Sequence, residues 1–140
     1  MPYREGFPLP DVKDWNTREW WEHVKQHELV VQRCTQCATF RHSPVPICYK
    51  CRSFEYEWAP VSGKGVVYSY TIAEHPPSPA MKDLVPYNVV VVELSDADNI
   101  RMVGNLIDCS LEEVKVGVPV EVEFDDVNDE ITLPQWRLAR

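Results

Sequence analysis

Arg33-Cys34-Thr35-Gln36-Cys37, ten further residues, then Cys48-Tyr49-Lys50-Cys51-Arg52 is the stretch on which the reading of this 140-residue chain turns. Each Cys-x-x-Cys pair can turn tightly enough to aim two thiolates at one tetrahedral ion, and two such knuckles complete a closed shell of four sulfurs. Zinc is the ion this donor set favours, with iron as the alternative. Four thiolates around a divalent ion leave a net charge of −2, which neighbouring cations stabilise. Arg33, Arg41, Lys50 and Arg52 supply them, and no Asp or Glu occurs between residues 33 and 52, although the chain holds 22 acidic against 14 basic residues. Two disulfides are the competing arrangement. The odd fifth thiol, Cys109, and the lack of a signal peptide oppose it and point to a reducing, cytoplasmic setting. A thioredoxin-like redox pair needs a single Cys-x-x-Cys opening a helix, and Pro44-Val45-Pro46 opposes that setting. Because a closed shell keeps no open position for a substrate, the expected role of this metal is structural.

The length allows one ordinary domain, or two small modules of which one needs a metal staple. A hydrophobic content of 44% with 26% charged residues and a mean hydropathy of −0.33 describes a globular chain without a transmembrane helix. A formal charge of −8 opposes broad binding to nucleic acid or anionic membranes, for which a basic surface is needed. Twelve prolines against five glycines favour defined turns and extended connections.

Residues 1–13, with Pro2, Pro8 and Pro10, read as an extended arm. Asn16 is placed to cap a helix with Glu19 at its third position, Trp15 and Trp20 occupy the positions of a hydrophobic staple, and the helix is expected from about Thr17 to His27. Its apolar side is Trp20, Trp21 and Val24, with Leu29 beyond the helix end, while Arg18, Glu22, Lys25 and Gln26 are solvated. Three tryptophans in seven residues serve either the chain's own packing or a partner's groove, since Trp is enriched at binding hot spots.

Leu29–Arg33 reads as a strand entering the first knuckle and Ser53–Trp58 as one leaving the second, with Phe54, Tyr56 and Trp58 on one face: the outline of a zinc ribbon. After the turn at Ser62-Gly63-Lys64-Gly65 the signals are all β. Gly65–Glu74, Tyr87–Leu94, Ile100–Ile107, Val118–Phe124 and Ile131–Leu138 are five strands, the second an apolar run suited to burial on both faces. Ser110-Leu111-Glu112-Glu113 is a capping box for a short helical turn after the third strand. Five strands with that turn suggest a small Greek-key barrel of the OB type. The expected organisation is therefore mainly β: arm and amphipathic helix over residues 1–28, zinc ribbon over 29–61 and OB-fold over 62–140. Four prolines in the twelve residues His75–Pro86 fix an extended loop, whose contact residues are His75, Met81 and Tyr87.

A search for catalytic groups finds little. His23 and His27 lie one helical turn apart without a third ligand, Cys109 has no base beside it and reads as a small semi-buried residue, and Asp125, Asp126, Asp129 and Glu130 lack the spacing and glycine of a calcium loop. No nucleophile elbow, phosphate loop or dinucleotide fingerprint occurs.

The order of a Trp-containing helix, Leu29-Val-Val-Gln-Arg-Cys34, the two knuckles, Gly65-x-Val67-Tyr68-Ser69-Tyr70-Thr71, Pro86-Tyr87, Gly104-Asn105-Leu106, Gly117-x-Pro119-Val120 and Thr132-Leu133-Pro134 resembles the DUF35 family over roughly residues 15–139. One departure is that the glycines often following each second knuckle cysteine are here Ala38 and Arg52, and glycine eases positive φ. The resemblance implies a rubredoxin-like zinc ribbon plus OB-fold and a structural zinc on Cys34, Cys37, Cys48 and Cys51. It also implies an accessory subunit of a thiolase-like acyl-CoA enzyme, most like the small subunit of a retro-aldolase that cleaves a steroid (bile acid or sterol) side-chain 3-hydroxyacyl-CoA in a two-plus-two complex. A MaoC-like enoyl-CoA hydratase or a thiolase-type acyltransferase is the alternative partner. The catalytic groups would then belong to the partner. On that footing Trp15, Trp20, Trp21, Val24, His75, Met81 and Tyr87 are the expected partner contacts, and Arg33, Arg41, Lys50 and Arg52 the expected contacts to CoA phosphates. The competing classes are a module that binds single-stranded nucleic acid, opposed by the acidic barrel, and a free-standing acyl-CoA enzyme, opposed by the lack of an acid–base pair.

Overall fold

The computed structural model describes residues 3–139; Pro2, part of the expected arm, lies outside them. Helix α1 spans Arg18–Lys25. Its start is organised by Asp14 and not by Asn16: the Asp14 carbonyl accepts from Arg18 N–H (2.8 Å), and its carboxylate accepts from Asn16 N–H (3.1 Å) and the Thr17 hydroxyl (3.4 Å). The expected capping box fails because Glu19 turns to the ribbon and accepts from Trp58 Nε1 (2.9 Å). The staple fails as well, since Trp15 is 74% exposed while Trp20 is buried. The helix ends where His27 adopts a left-handed φ of +62° and Glu28 N–H bonds the His23 carbonyl (3.0 Å), a wrapped C-terminus of the kind glycine usually makes. His27 also stacks on Phe124 and meets Asp126 at 2.9 Å, tying the helix end to the barrel.

Strands β1 (Val30–Cys34), β2 (Phe40–Arg41) and β3 (Tyr56–Pro60) form an antiparallel sheet in the order β2-β1-β3. β3 starts later than the alternation of Ser53–Trp58 suggests, because Ser53 closes the second knuckle through its carbonyl and accepts from Glu55 N–H through its hydroxyl.

Strands β4 (Lys64–Ala73), β5 (Tyr87–Leu94), β6 (Ile100–Gly104), β7 (Pro119–Asp126) and β8 (Thr132–Leu138) form the second antiparallel sheet, in the order β6-β5-β4-β7-β8. A bulge between Val67 and Ser69 bends β4. The sheet curls until the chain just past β6 meets β8 in parallel: Ile107 N–H donates to Trp136 O (2.7 Å) and Trp136 N–H to Asn105 O (2.9 Å). That is the closure of a five-stranded OB-fold, and it explains why β6 stops at Gly104 and not at Ile107. The buried Asn88 holds the crossing segment, with its amide donating to Leu106 O (2.8 Å) and accepting from Leu106 N–H (2.7 Å). Gly104 is required there, as a Cβ would stand 2.7 Å from Trp136 Cδ1. β5 is buried on one face only, through Asn88, Val90, Val92 and Leu94, because its other face is barrel wall. The capping box at Ser110 forms as expected, over a 3₁₀ turn at Leu111–Glu113.

The barrel interior is Val67, Val90, Val92, Leu94, Met102, Leu106, Val114, Val120 and Trp136; Trp20, Val24, Leu29, Val30 and Val31 continue the same cluster into helix and ribbon. One core therefore joins all three parts. The arm lies along the proline loop, which is not fully extended but turns at Pro79–Met81 and buries Met81 and Leu84. Arg4 donates to Leu84 O (2.7 Å), Phe7 meets Tyr87 edge to face (5.0 Å), and Gly6, at φ +112°, passes so close to Ala80 O that a Cβ would lie 2.9 Å away.

Candidate metal centre and adjoining cleft

The two knuckles are built alike. Cys34 N–H donates to Thr39 O and Ala38 N–H to Cys34 O; Cys48 N–H donates to Ser53 O and Arg52 N–H to Cys48 O, all at 2.9 Å. Each turn closes through a residue of positive φ directly after its second cysteine, +64° at Ala38 and +65° at Arg52. The four Sγ atoms lie within 4.8 Å of one another, with 3.5 Å between Cys34 and Cys51 and 3.6 Å between Cys37 and Cys48. Bonds of about 2.3 Å to a tetrahedral ion need sulfurs roughly 3.8 Å apart, so the set fits such an ion. The thiols of Cys34, Cys37 and Cys48 are held below their ordinary value, chiefly by hydrogen bonds from Cys37 N–H, the Thr39 hydroxyl and Cys51 N–H respectively. At Cys51 the Ser53 N–H favours the thiolate, but burial and the three neighbouring sulfurs push the thiol up to about 12. A divalent ion is what lets the fourth sulfur lose its proton beside three others.

The departures at Ala38 and Arg52 carry a measurable cost, because an L side chain at left-handed φ crowds the following carbonyl. Ala38→Gly and Arg52→Gly are each expected to stabilise the metal-loaded chain by about 0.5–1 kcal/mol after the added freedom of the unfolded glycine is counted. Thermal melts check this: both midpoints rise, and an unchanged or lowered midpoint contradicts it.

The expected site residues separate into two groups. Arg33, Lys50 and Arg52 are exposed around the knuckles, whereas Arg41 is 4% exposed and is not free for a phosphate. Its Nε and Nη2 donate to Val45 O, and its guanidinium lies over the Tyr56 ring. Among the expected docking residues Trp15 and His75 are exposed and Trp21 and Tyr87 half-buried. Trp20, Val24 and Met81 are corrected to core: Trp20 donates its indole N–H to Val30 O (2.8 Å), Val24 is 0% exposed, and Met81 sits under the loop turn.

Sequence reasoning missed a cleft of about 860 Å³ between the arm, α1, the His42–Pro44 turn and the barrel wall at β6 and β8. Phe7, Trp21, Tyr87 and Leu133 are among its apolar lining, and His42 and Gln135 among its polar lining. His42 rests against Trp20, and burial lowers its imidazole to about 4, so it is uncharged at neutral pH. These residues come from five separate parts of the chain, and no local spacing links them.

A four-cysteine ribbon joined through one core to an OB barrel defines the class of protein. Residues 21–57 match the ChsH2 rubredoxin-like zinc ribbon domain and residues 58–125 the ChsH2 C-terminal OB-fold domain. The chain is 42% identical over 86% of its length to a probable enoyl-CoA hydratase alpha subunit of Thermomonospora curvata, and 32% identical over 88% to the 3-oxo-4,17-pregnadiene-20-carboxyl-CoA hydratase alpha subunit of Mycobacterium tuberculosis. It spans 36% of the length of each of these two relatives. A DUF35 domain-containing scaffold protein of Methanocaldococcus jannaschii is 34% identical, with 79% of this chain matching 77% of that one. A solved chain from an Ltp2-ChsH2(DUF35) aldolase superposes with a TM-score of 0.82 at 38% identity, covering 94% of this chain and 100% of that chain. The chain belongs to the DUF35 family.

Proposed function

We propose that this chain is a non-catalytic accessory subunit of a thiolase-like acyl-CoA enzyme, specifically a retro-aldolase acting on a steroid side-chain 3-hydroxyacyl-CoA. The observation that carries the proposal is the likeness, over nearly the whole chain, to the DUF35 component of an aldolase. The mycobacterial relative, named for a steroid acyl-CoA, supports the substrate class, and the archaeal relative named as a scaffold supports the accessory role. Within the complex, two-plus-two in stoichiometry and cytoplasmic, the four cysteines hold a structural zinc, since a closed tetrahedral thiolate shell suits it and leaves no position for substrate. Trp15, Trp21, His75 and Tyr87 offer the partner an aromatic surface. Arg33, Lys50 and Arg52 offer charge to CoA phosphates. The retro-aldol step, cleavage of the bond between the α and β carbons with proton transfer from the 3-hydroxyl, is assigned to groups of the partner.

The relative named as a hydratase alpha subunit favours a second reading, in which the partner is an enoyl-CoA hydratase. Purified chain, a thiolase-like protein from the same organism and their mixture, each given a steroid 3-hydroxyacyl-CoA, distinguish the two. Carbon–carbon cleavage by the mixture, with none by this chain alone, is expected. A thiolase-like protein whose solubility and turnover are indifferent to this chain overturns the proposal.

A further inference from the structure

The second half of β4 has an uncovered edge. β4 pairs with β7 only over Lys64–Val66, and Val67 makes the last bonds on that side, donating to Val118 O (3.0 Å) and accepting from Gly117 N–H (2.8 Å). Beyond the bulge, Ser69–Ala73 pairs with β5 alone, and among the described residues no hydrogen bond reaches its other edge. Which groups face that edge follows from β5. The Asn88 carbonyl accepts from Asn105 Nδ2 (2.6 Å) on the β6 side, so Asn88 and Val90 turn their main chain to β6, while Val89 and Val91 turn theirs to β4. Tyr70 and Ile72, which stand opposite Val90 and Asn88, therefore present N–H and C=O outward.

An edge of this kind is ordinarily guarded by Lys, Pro or a bulge. Here residues 66–73 hold no charge and no proline, in a chain with 26% charged residues and twelve prolines, and the bulge lies before the free stretch and not in it. The side chains point the same way. Tyr70 and Ile72 share the face of Val90 and Asn88, yet those two are buried whereas Tyr70 is 41% exposed and Ile72 half-buried.

We propose that a second copy of this chain pairs at this edge, the two Ser69–Ala73 segments running antiparallel about a two-fold axis at Thr71. The segment is complementary to itself in that register, as a two-fold interface requires. Tyr70 of each copy meets Ile72 of the other as a hydrogen-bonded pair, so the four outward main-chain groups of each copy are all satisfied. The side-chain pairs are an aromatic ring on a β-branched residue twice, Thr71 on Thr71, and Ser69 on Ala73 twice, the first two being favourable cross-strand pairs. No like charges oppose one another. Each copy carries a net charge of −8, so salt, which screens the repulsion between the two, should strengthen the pair. The inference uses only the barrel and does not rest on the accessory-subunit reading.

The test is sedimentation velocity of the full, metal-loaded chain over a wide range of concentration, at low and high salt. A monomer–dimer equilibrium that shifts to dimer with salt is expected. Thr71→Lys sets two ammonium groups side by side at the axis and should raise the dissociation constant about tenfold or more. Ile72→Pro removes one outward N–H from each copy, at an edge position that tolerates proline, and should weaken the dimer as well. Thermal midpoint and metal content show that each variant is folded; if Ile72→Pro does not fold, Thr71→Lys decides. A chain that stays monomeric throughout, or a dimer that Thr71→Lys leaves unchanged, overturns the proposal. So does a monomer that binds the thiolase-like protein and loses it on Thr71→Lys, since the occupant of the edge is then a foreign strand. A dimer that Thr71→Lys dissociates, in a chain that forms no complex with the thiolase-like protein, upholds the pairing and removes the accessory-subunit reading alone.

Discussion

Cys34→Ser, or removal of the metal by a chelator, is expected to unfold ribbon, helix and barrel together. Structural zinc sites of four cysteine or histidine ligands contribute about 10–16 kcal/mol in small peptides, against about 5–15 kcal/mol for the whole stability of a domain. The loss cannot stay local. β1 runs from Cys34 directly back into the core, and Val30 and Val31 pack in one cluster with Trp20, Val24 and the barrel residues. With the knuckles open, β1 loses its anchored end, and Trp20 loses the Val30 carbonyl that satisfies its indole. Circular dichroism and tryptophan fluorescence should therefore collapse in a single transition as the chelator is added. A metal-free chain with an unchanged thermal midpoint would contradict this.

Trp136→Ala is expected to cost about 3–5 kcal/mol, the range for removing a large aromatic from a core. Trp136 is fully buried, its backbone makes both hydrogen bonds that close the barrel, and its ring lies against Gly104. Truncation empties the centre of the interior at the seam where β8 meets the chain after β6. Its indole N–H has no hydrogen-bonding partner among the described residues, so the cost is one of packing and not of a lost hydrogen bond. Trp136→Phe, which keeps most of the ring, should lose less. Urea denaturation of the metal-loaded protein measures both, and a shift below about 1 kcal/mol for the alanine variant would be inconsistent with a packed seam.

The metal centre was legible because its information is local: four cysteines at fixed spacing with cations beside them. The positive φ at Ala38 and Arg52, where the knuckles close, was not, since neither residue is the glycine that such a φ favours. The barrel was legible because its strands alternate, and Ser110–Glu113 announces the turn after the third strand. The helix start was misread because Asn16 and Glu19 fit a capping pattern whose partners lie elsewhere, Pro44 O for the Asn16 amide and Trp58 for Glu19. Trp20 and Val24, expected as partner contacts, lie inside because helix, ribbon and barrel share one core that the local pattern does not reveal, and Trp15 is left on the surface. Gln135 gave no signal, because one polar residue in an alternating strand reads as solvated, whereas in the fold α1 packs against β8 and Gln135 is buried in the lining of the cleft.

In the account developed from these residues the metal centre is a staple that presents a docking surface, and the chemistry lies in another chain. Folding, partner binding and turnover measured together on the Cys34→Ser variant test this most directly. The account predicts that all three fail together, since the surface exists only while the knuckles are closed. A variant that folds, co-purifies with the proposed thiolase-like partner and loses only the chemical step would contradict it and place the metal in the reaction.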